Sequence, residues 1–312
     1  MSDRLVRRFA GFVYRQIMAV AGAYAPKLTA KVAYKKTYGR FPDMHNPRTF
    51  SEKLLWLRFH TYNGNRQILK LCDKYEVREY VCQRGVGDTL NELFFLWDDP
   101  VEIDWDSLPD QFALKLSQGW ASNILCRDKR SLDVAQCRRE VRRWMHGRRL
   151  YDRNAAAIGG IKPSELKKHI ICERYLGGID GAAPADYKIY CFHGEPKAIL
   201  YIADRYGPKK GCFMSVDWRF ISDVDASYEK MEEAPRKPQS LGRMLSAAKA
   251  LSEPFPFVRV DFYDFAGKAI FGEMTFFPSG CVGMQETSVD GVEMADMLRL
   301  SIDGGKNMGG HI

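Results

Sequence analysis

The stretch Phe257-Val-Arg-Val-Asp-Phe-Tyr-Asp-Phe-Ala-Gly-Lys-Ala-Ile-Phe-Gly-Glu-Met-Thr-Phe276 decides how the rest of the chain is read. It has the pattern of two strands joined at a turn near Gly267. Side chains alternate between faces along a strand, so Arg259 and Asp261 share one face of the first strand. Glu273 and Thr275 share one face of the second. A turn centred on Gly267 pairs Asp261 with Glu273 and Arg259 with Thr275, and all four side chains then project from one side of the sheet. Directly opposed residues hold their Cβ atoms about 4.5–5.5 Å apart. Two carboxylates that close repel each other unless something cationic lies between them. Mg²⁺ is one such cation, because it takes oxygen ligands and commonly combines one or two carboxylates with substrate phosphates. The other is Arg259 itself, neutralising both acids in an ion-pair cluster.

Outward from this hairpin, strands and helices mix without strict alternation, which favours an α+β or mixed α/β fold. Asn46-Pro47-Arg48-Thr49 leads into an apolar-periodic stretch, and Thr49 and Glu52 have capping-box spacing, so a helix is expected over 50–59. A second helix is expected from about Lys70 to Gln83, with Asp73-Lys74 near its start and Gly85 beyond its end. Gln111–Leu116 alternates as a strand and leads into the polar loop Ser117–Asn123. Val134, Cys137, Val141 and Trp144 recur at helical spacing with arginines between them. Ile170–Leu176 reads as a strand, and Tyr187–Phe192 and Lys197–Tyr201 flank His193-Gly194-Glu195 as a hairpin. Leu241, Met244, Leu245, Ala248 and Leu251 mark a helix that stops before Pro254.

The 312 residues suffice for two lobes closing over a cleft, and the 46% hydrophobic and 28% charged content is that of a soluble globular protein. Residues 1–40 carry nine basic side chains (Arg4, Arg7, Arg8, Arg15, Lys27, Lys31, Lys35, Lys36 and Arg40) against Asp3 alone. That +8 equals the formal charge of the whole chain, so the remainder is neutral. Nucleic-acid binders usually spread basic charge over a folded face, which argues against that class here. Leu5, Val6, Phe9, Phe12, Val13 and Tyr14 lie among these charges, a mixture that suits a helix on an anionic membrane surface or one packed on the domain. The eight cysteines show no CxxC or zinc-ligand spacing, which fits a reduced, cytoplasmic protein whose cysteines act as small hydrophobes.

Arg259-Val-Asp261 followed by Gly272-Glu273-Met-Thr275 and Pro278 resembles the metal-binding end of ATP-grasp enzymes. Four further segments sharpen the resemblance: Asn46–Leu57, Asp73–Val81, Leu108–Lys115 and Asp186–Gly194, together with Phe255–Phe262. Their shared order resembles the TupA-like ATP-grasp family of cell-surface polysaccharide loci over roughly residues 40–285. The resemblance implies an ATP-grasp fold, in which two α+β lobes close on a nucleotide cleft behind a basic N-terminal helical arm. On this reading residues 1–45 form the arm, 46–110 a helical region, 111–180 the first lobe, 181–302 the second lobe with the metal hairpin, and 303–312 a disordered tail.

The resemblance also implies roles. Lys74 and Lys115 would hold the phosphates of ATP, and Ser117, Gly119, Ser122 and Asn123 belong to the loop that would wrap them. Glu173, Arg174, Tyr175 and Leu176 match the segment that holds adenine, largely through backbone groups, and Asp186 matches a ribose contact. Lys188 would reach phosphate or substrate. Arg259 matches the arginine that stabilises the acyl-phosphate and tetrahedral species, while Asp261, Glu273 and Thr275 match the Mg²⁺ ligands. Arg205 is a further candidate for an anionic substrate group. The loop Gln118-Gly-Trp-Ala-Ser-Asn123 has less glycine than its relatives, and Trp120 is expected to stiffen it.

The implied chemistry is ATP-dependent carboxylate–amine ligation, with a uronic acid carboxyl of a capsule-, O-antigen- or teichuronopeptide-like glycan activated as an acyl phosphate and joined to an amino acid or other amine. Competing readings are a glycosyltransferase using Asp104-Trp105-Asp106, a nucleotide-binding scaffold, and a kinase acting on a sugar hydroxyl. Mg²⁺ and ATP are the cofactors expected.

Overall fold

The computed structural model describes residues 25–118, 122–146, 167–177, 184–203, 209–223, 228–231, 233–284 and 286–301. The N-terminal arm before residue 25 and the Gly-rich tail fall outside the described residues, as do Gly119, Trp120 and Arg205. The chain divides into two compact units, one of residues 1–69, 148–167 and 277–284, the other of 70–147, 168–276 and 285–312. No described helix is long and apolar enough to cross a membrane.

The first unit is built on helices α1 (Pro26–Tyr38) and α2 (Phe50–Phe59). Pro26 pre-sets the first turn of α1, and Gly39, at φ 75°, closes it with its N–H on Lys35 O. Ala30 and Tyr34, one turn apart, are the buried side of α1. The capping box expected at Thr49 and Glu52 is complete: Glu52 N–H donates to Thr49 Oγ1 at 3.2 Å and Thr49 N–H to Glu52 Oε2 at 3.1 Å. Glu52 also accepts from Arg40 Nη1 at 2.6 Å, Asp43 N–H at 3.0 Å and Arg48 N–H at 3.1 Å. Burial works to raise its pKa, but these donors outweigh it and hold the carboxyl down at about 2.

The expected single helix over 70–83 is two, α3 (Arg66–Leu71), which starts in the first unit, and α4 (Val77–Gln83) in the second. Asp73 interrupts them, because its Oδ1 accepts the N–H groups of Tyr75 and Glu76 at 2.7 and 3.0 Å and offers the backbone an alternative to a continuing helix. Gly85 ends α4 at φ 73°.

Two sheets follow, antiparallel but for one short parallel pairing in the larger. The smaller contains β1 (Leu93–Trp97), β2 (Phe112–Leu116), β3 (Asn123–Cys126) and β4 (Ile170–Arg174) in the order β1-β4-β2-β3. The strand expected to run to Leu176 thus ends two residues sooner, at Arg174. Helix α5 (Val134–His146) buries Cys137 and Val141 with Phe112, Leu114, Ile170 and Cys172 of this sheet, as its spacing requires. The larger sheet contains β5 (Asp186–Phe192), β6 (Glu195–Ala203), β7 (Lys210–Ser215), β8 (Phe220–Asp223), the short β9 (Glu229–Lys230), β10 (Phe257–Phe265) and β11 (Lys268–Thr275). Its order is β11-β10-β5-β6-β7-β8, with β9 alongside β7. Helix α6 (Leu241–Ser252) turns Met244, Ala247, Ala248 and Leu251 into the core.

The β10–β11 turn is Ala266-Gly267, with φ of 52° and 74°, the left-handed pair that two-residue hairpins favour. That turn pairs Phe265 with Lys268 and Phe262 with Phe271, which by itself would set Asp261 against Gly272. The register shifts there, Gly272 is left over, and Asp261 meets Glu273 while Arg259 meets Thr275. The partners expected from the sequence are therefore found, but through a bulge rather than a turn centred on Gly267. A Cβ at Gly272 would stand 3.0 Å from Asp261 O, a tight contact that favours glycine at the bulge.

Candidate functional site

The hairpin face carries one cluster. Lys188 on β5 is the cross-strand partner of Asp261 on β10. Its Nζ donates to Asp261 Oδ2 at 2.6 Å and lies 3.5 Å from Asp186 Oδ2. Arg259 Nε donates to Asp261 Oδ1 at 2.7 Å and its Nη2 to Oδ2 at 2.8 Å, a bidentate fork. The same Nη2 donates to Thr275 Oγ1 at 3.2 Å, and Thr275 in turn donates to Glu273 Oε1 at 3.3 Å. Burial opposes the charge on Asp261, yet Arg259 and Lys188 overcome it and lower its pKa. Lys188 and Arg259 are likewise raised against the pull of burial, each chiefly by Asp261. Asp261, Lys188 and Arg259 therefore carry their charges together at neutral pH. Asp261 is buried and Glu273 is turned outward, its side chain 43% exposed.

The ion-pair reading of this face is met. Arg259 does neutralise Asp261, with a second cation, Lys188, that spacing alone does not reveal. The donors for a hard cation also stand together: two carboxylates and a hydroxyl on one face, one carboxylate exposed. This oxygen set suits Mg²⁺ completed by phosphate and water. Among the described residues no three His, Cys, Asp or Glu side chains converge as a metal cage.

The second cluster joins the smaller sheet to the Asp73 turn. Lys115 on β2 donates to Glu173 Oε2 on β4 at 2.7 Å, and Arg78 on α4 donates to Glu173 Oε1 at 3.2 Å. Glu173, expected in the adenine segment, is thus a buried counter-ion of the expected phosphate-binding lysine. Ser117, expected in the phosphate loop, is buried and engaged: its Oγ donates to Asp73 Oδ2 at 2.7 Å and accepts His169 N–H at 3.1 Å. Lys74 N–H donates to Ser117 O at 3.0 Å, so Lys74 is tied to the end of the strand that carries Lys115. Ser122 O accepts Leu116 N–H, and Asn123 pairs with Lys115, which makes β2–β3 a hairpin around the loop. Sequence reasoning gave no role to Asp73, Arg78 or His169, whose partners lie 44 to 95 residues away.

The backbone of Arg174 is occupied, its N–H by Glu92 O at 2.9 Å and its C=O by Asn91 Nδ2 at 2.9 Å. Tyr175 is buried and its hydroxyl has no partner among the described residues. Asp186 is buried beside Lys188. Asp104, of the Asp-x-Asp pair, accepts Asp106 N–H at 3.1 Å, while Trp105 between them is buried, which is turn geometry. Burial pushes the thiols of Cys172, Cys191 and Cys281 up to about 12, so they stay protonated and unreactive.

Solved structures similar to this chain include the D-alanine–D-alanine ligase from Bacillus anthracis complexed with ATP (13% identity, 66% of this chain and 55% of that one, TM-score 0.38). Others are the ATP-grasp ligase PsnB complexed with a minimal precursor (15%, 80% and 67%, 0.40) and the D-alanine–D-alanine ligase from Helicobacter pylori (12%, 74% and 63%, 0.42). The chain thus spans between about half and two-thirds of their length. No curated protein matches it. The profile of the TupA-like ATP-grasp family matches residues 52–292, most of the chain and both clusters. The chain therefore belongs to the TupA-like ATP-grasp family.

Proposed function

We propose that this protein is an ATP-dependent, ADP-forming ligase that joins a carboxylate to an amine. The observation that carries the reading is the face shared by Arg259, Asp261, Glu273 and Thr275, met by Lys188 from the next strand. A substrate carboxylate oxygen attacks the γ-phosphorus of ATP, the bond to the β–γ bridging oxygen breaks, and ADP leaves. The amine then attacks the acyl carbon, inorganic phosphate departs, and the amine proton passes to solvent. No protein nucleophile is required, so catalysis rests on positioning and fixed charge.

Lys74 and Lys115 hold the phosphate chain, with Ser117 anchoring the loop between them rather than touching phosphate. Asp261, Glu273 and Thr275 would hold Mg²⁺, which supplies neutralisation of the β- and γ-phosphate charge. Arg259 offers its planar guanidinium beside that charge, and Lys188 a second cation. Tyr175 and Leu176 are the part of the adenine segment whose backbone the sheet does not consume. The substrate class proposed is a uronic-acid carboxyl of a surface glycan with an amino acid or amine as acceptor, Arg205 contributing to an anionic group, and the basic residues 1–40 bringing the enzyme to an anionic membrane face.

The test is incubation with MgATP, uronic-acid glycans and mixed amino acids, with ADP and free phosphate assayed beside Glu273→Gln. Phosphate release that requires both additions and disappears in Glu273→Gln supports the ligase. ADP without free phosphate indicates a kinase, and absence of MgATP binding removes the nucleotide site altogether.

A further inference from the structure

Helix α1 carries a feature separate from either cluster. A cavity of about 230 Å³ opens between α1 and α2, lined by Lys27, Ala30, Lys31, Met44, His45, Leu55, Phe59 and His60. Its floor is apolar, since Ala30, Leu55 and Phe59 are all buried. Its rim is cationic, with Lys27 and Lys31 one turn apart on the same helix face. Lys27 Nζ stands 6.0 Å from the Phe59 ring centroid. Among the described residues no carboxylate lines the cavity, and Asp43, the acid nearest in sequence to His45, turns its Oδ1 to the N–H groups of His45 and Asn46.

The surroundings favour an amphiphile over a small soluble anion. Leu28, beside Lys27, is 61% exposed, and Phe41, with Lys35 Nζ 4.6 Å from its ring, is 54% exposed. Large apolar side chains left in water among lysines are the composition of a surface that lies on a bilayer. The cavity has room for about eight molecules the size of water at roughly 30 Å³ each, the scale of a headgroup with its glycerol and too small for a drug-sized substrate.

We propose that this cavity binds the headgroup of an anionic phospholipid, with the phosphate between Lys27 and Lys31, the glycerol on Ala30, Leu55 and Phe59, and Leu28 and Phe41 inserted at the level of the acyl chains. The inference sharpens the membrane contact proposed above and is independent of the ligase chemistry. Each lysine near an anionic bilayer contributes about a fivefold gain in partitioning.

The experiment is co-sedimentation of the full chain with vesicles of phosphatidylglycerol and phosphatidylcholine, and with phosphatidylcholine alone. Lys27→Gln/Lys31→Gln should weaken binding to the anionic vesicles about 25-fold. The control Lys35→Gln/Lys36→Gln removes the same charge from the same helix at two exposed positions outside the cavity lining, and should weaken it by no more than about fivefold. Dihexanoyl phosphatidylglycerol below its micelle concentration should shift the His60 ring resonances, and inorganic phosphate should not. Equal losses in the two double variants would mean diffuse charge attraction and overturn the site. Shifts produced equally by inorganic phosphate would mean a phosphate site without lipid and overturn it too. ATP turnover measured on the same variants separates a failed lipid site from a failed ligase reading.

Discussion

Lys188 Nζ lies 2.6 Å from Asp261 Oδ2 at directly paired positions of β5 and β10, and Arg259 grips the same carboxylate from the other side. Removal of the acid and removal of one base therefore have unequal consequences. Asp261→Asn leaves two mostly covered cations, 15% and 13% exposed, without their common partner, a loss of about 3–5 kcal/mol. Lys188→Met leaves the Arg259 fork in place and costs about 1–3 kcal/mol, the price of one charged hydrogen bond. Urea unfolding reads both as midpoint shifts at constant slope. Equal losses would show that the carboxylate is not shared.

Lys115 is 23% exposed and faces Glu173, which also takes Arg78. If the lysine holds phosphate, Lys115→Met weakens MgATP binding tenfold or more, about 1.4 kcal/mol. Arg127→Met, at the exposed end of β3, leaves it unchanged. Calorimetric titration of MgATP into each variant decides the matter, and unaltered affinity in Lys115→Met removes the lysine from the nucleotide site.

Gly272→Ala places a methyl 3.0 Å from Asp261 O in a strand that cannot shift without moving Glu273. The expected cost is about 1–3 kcal/mol in thermal or urea unfolding. Mg²⁺-dependent binding should fall with it, because the substitution strains the register that sets Glu273 opposite Asp261. A variant with wild-type stability would mean that the bulge relaxes freely.

Glu52 makes the first unit acid-sensitive. Its carboxyl titrates at about 2 when folded, below its ordinary 4.5, so the stabilisation is complete above pH 4.5 and is lost as pH falls toward 2. The span is worth up to about 3 kcal/mol. Glu52→Gln should lower stability at pH 7 and flatten the decline between pH 5 and 2, as followed by circular dichroism. A decline as steep as in the parent protein would assign the acid sensitivity elsewhere.

Local signals were readable directly from the sequence. Thr49 and Glu52 lie three residues apart, and their reciprocal bonds need nothing from the rest of the chain. The 3.6-residue period of α5 and the turn glycines of both hairpins are equally local. The pairing of Asp261 with Glu273 was legible for an incomplete reason, since the turn and the bulge each move the register and together arrive at the expected partners. What could not be read is set by distant chain. Asp73 looks like a helix residue until Ser117 supplies its other partner 44 residues on. Glu173 looks like a nucleotide contact until Lys115 and Arg78 converge on it. Charge partners across strands leave no period in a single sequence.

The strand order has a consequence for how the two halves of the hairpin face move. β10 is paired on both sides, by β5 and β11, whereas β11 stands at the margin of the sheet with β10 as its one strand partner among the described residues. Amides of β10 are thereby released to solvent exchange only when the sheet opens as a whole, while half of those on β11 exchange through fraying of its outer side. Arg259 and Asp261 belong to the slow strand, Glu273 and Thr275 to the fast one. The face is thus a fixed jaw and a yielding jaw, and any ion or phosphate that bridges them should be seen first as a slowing of exchange along β11.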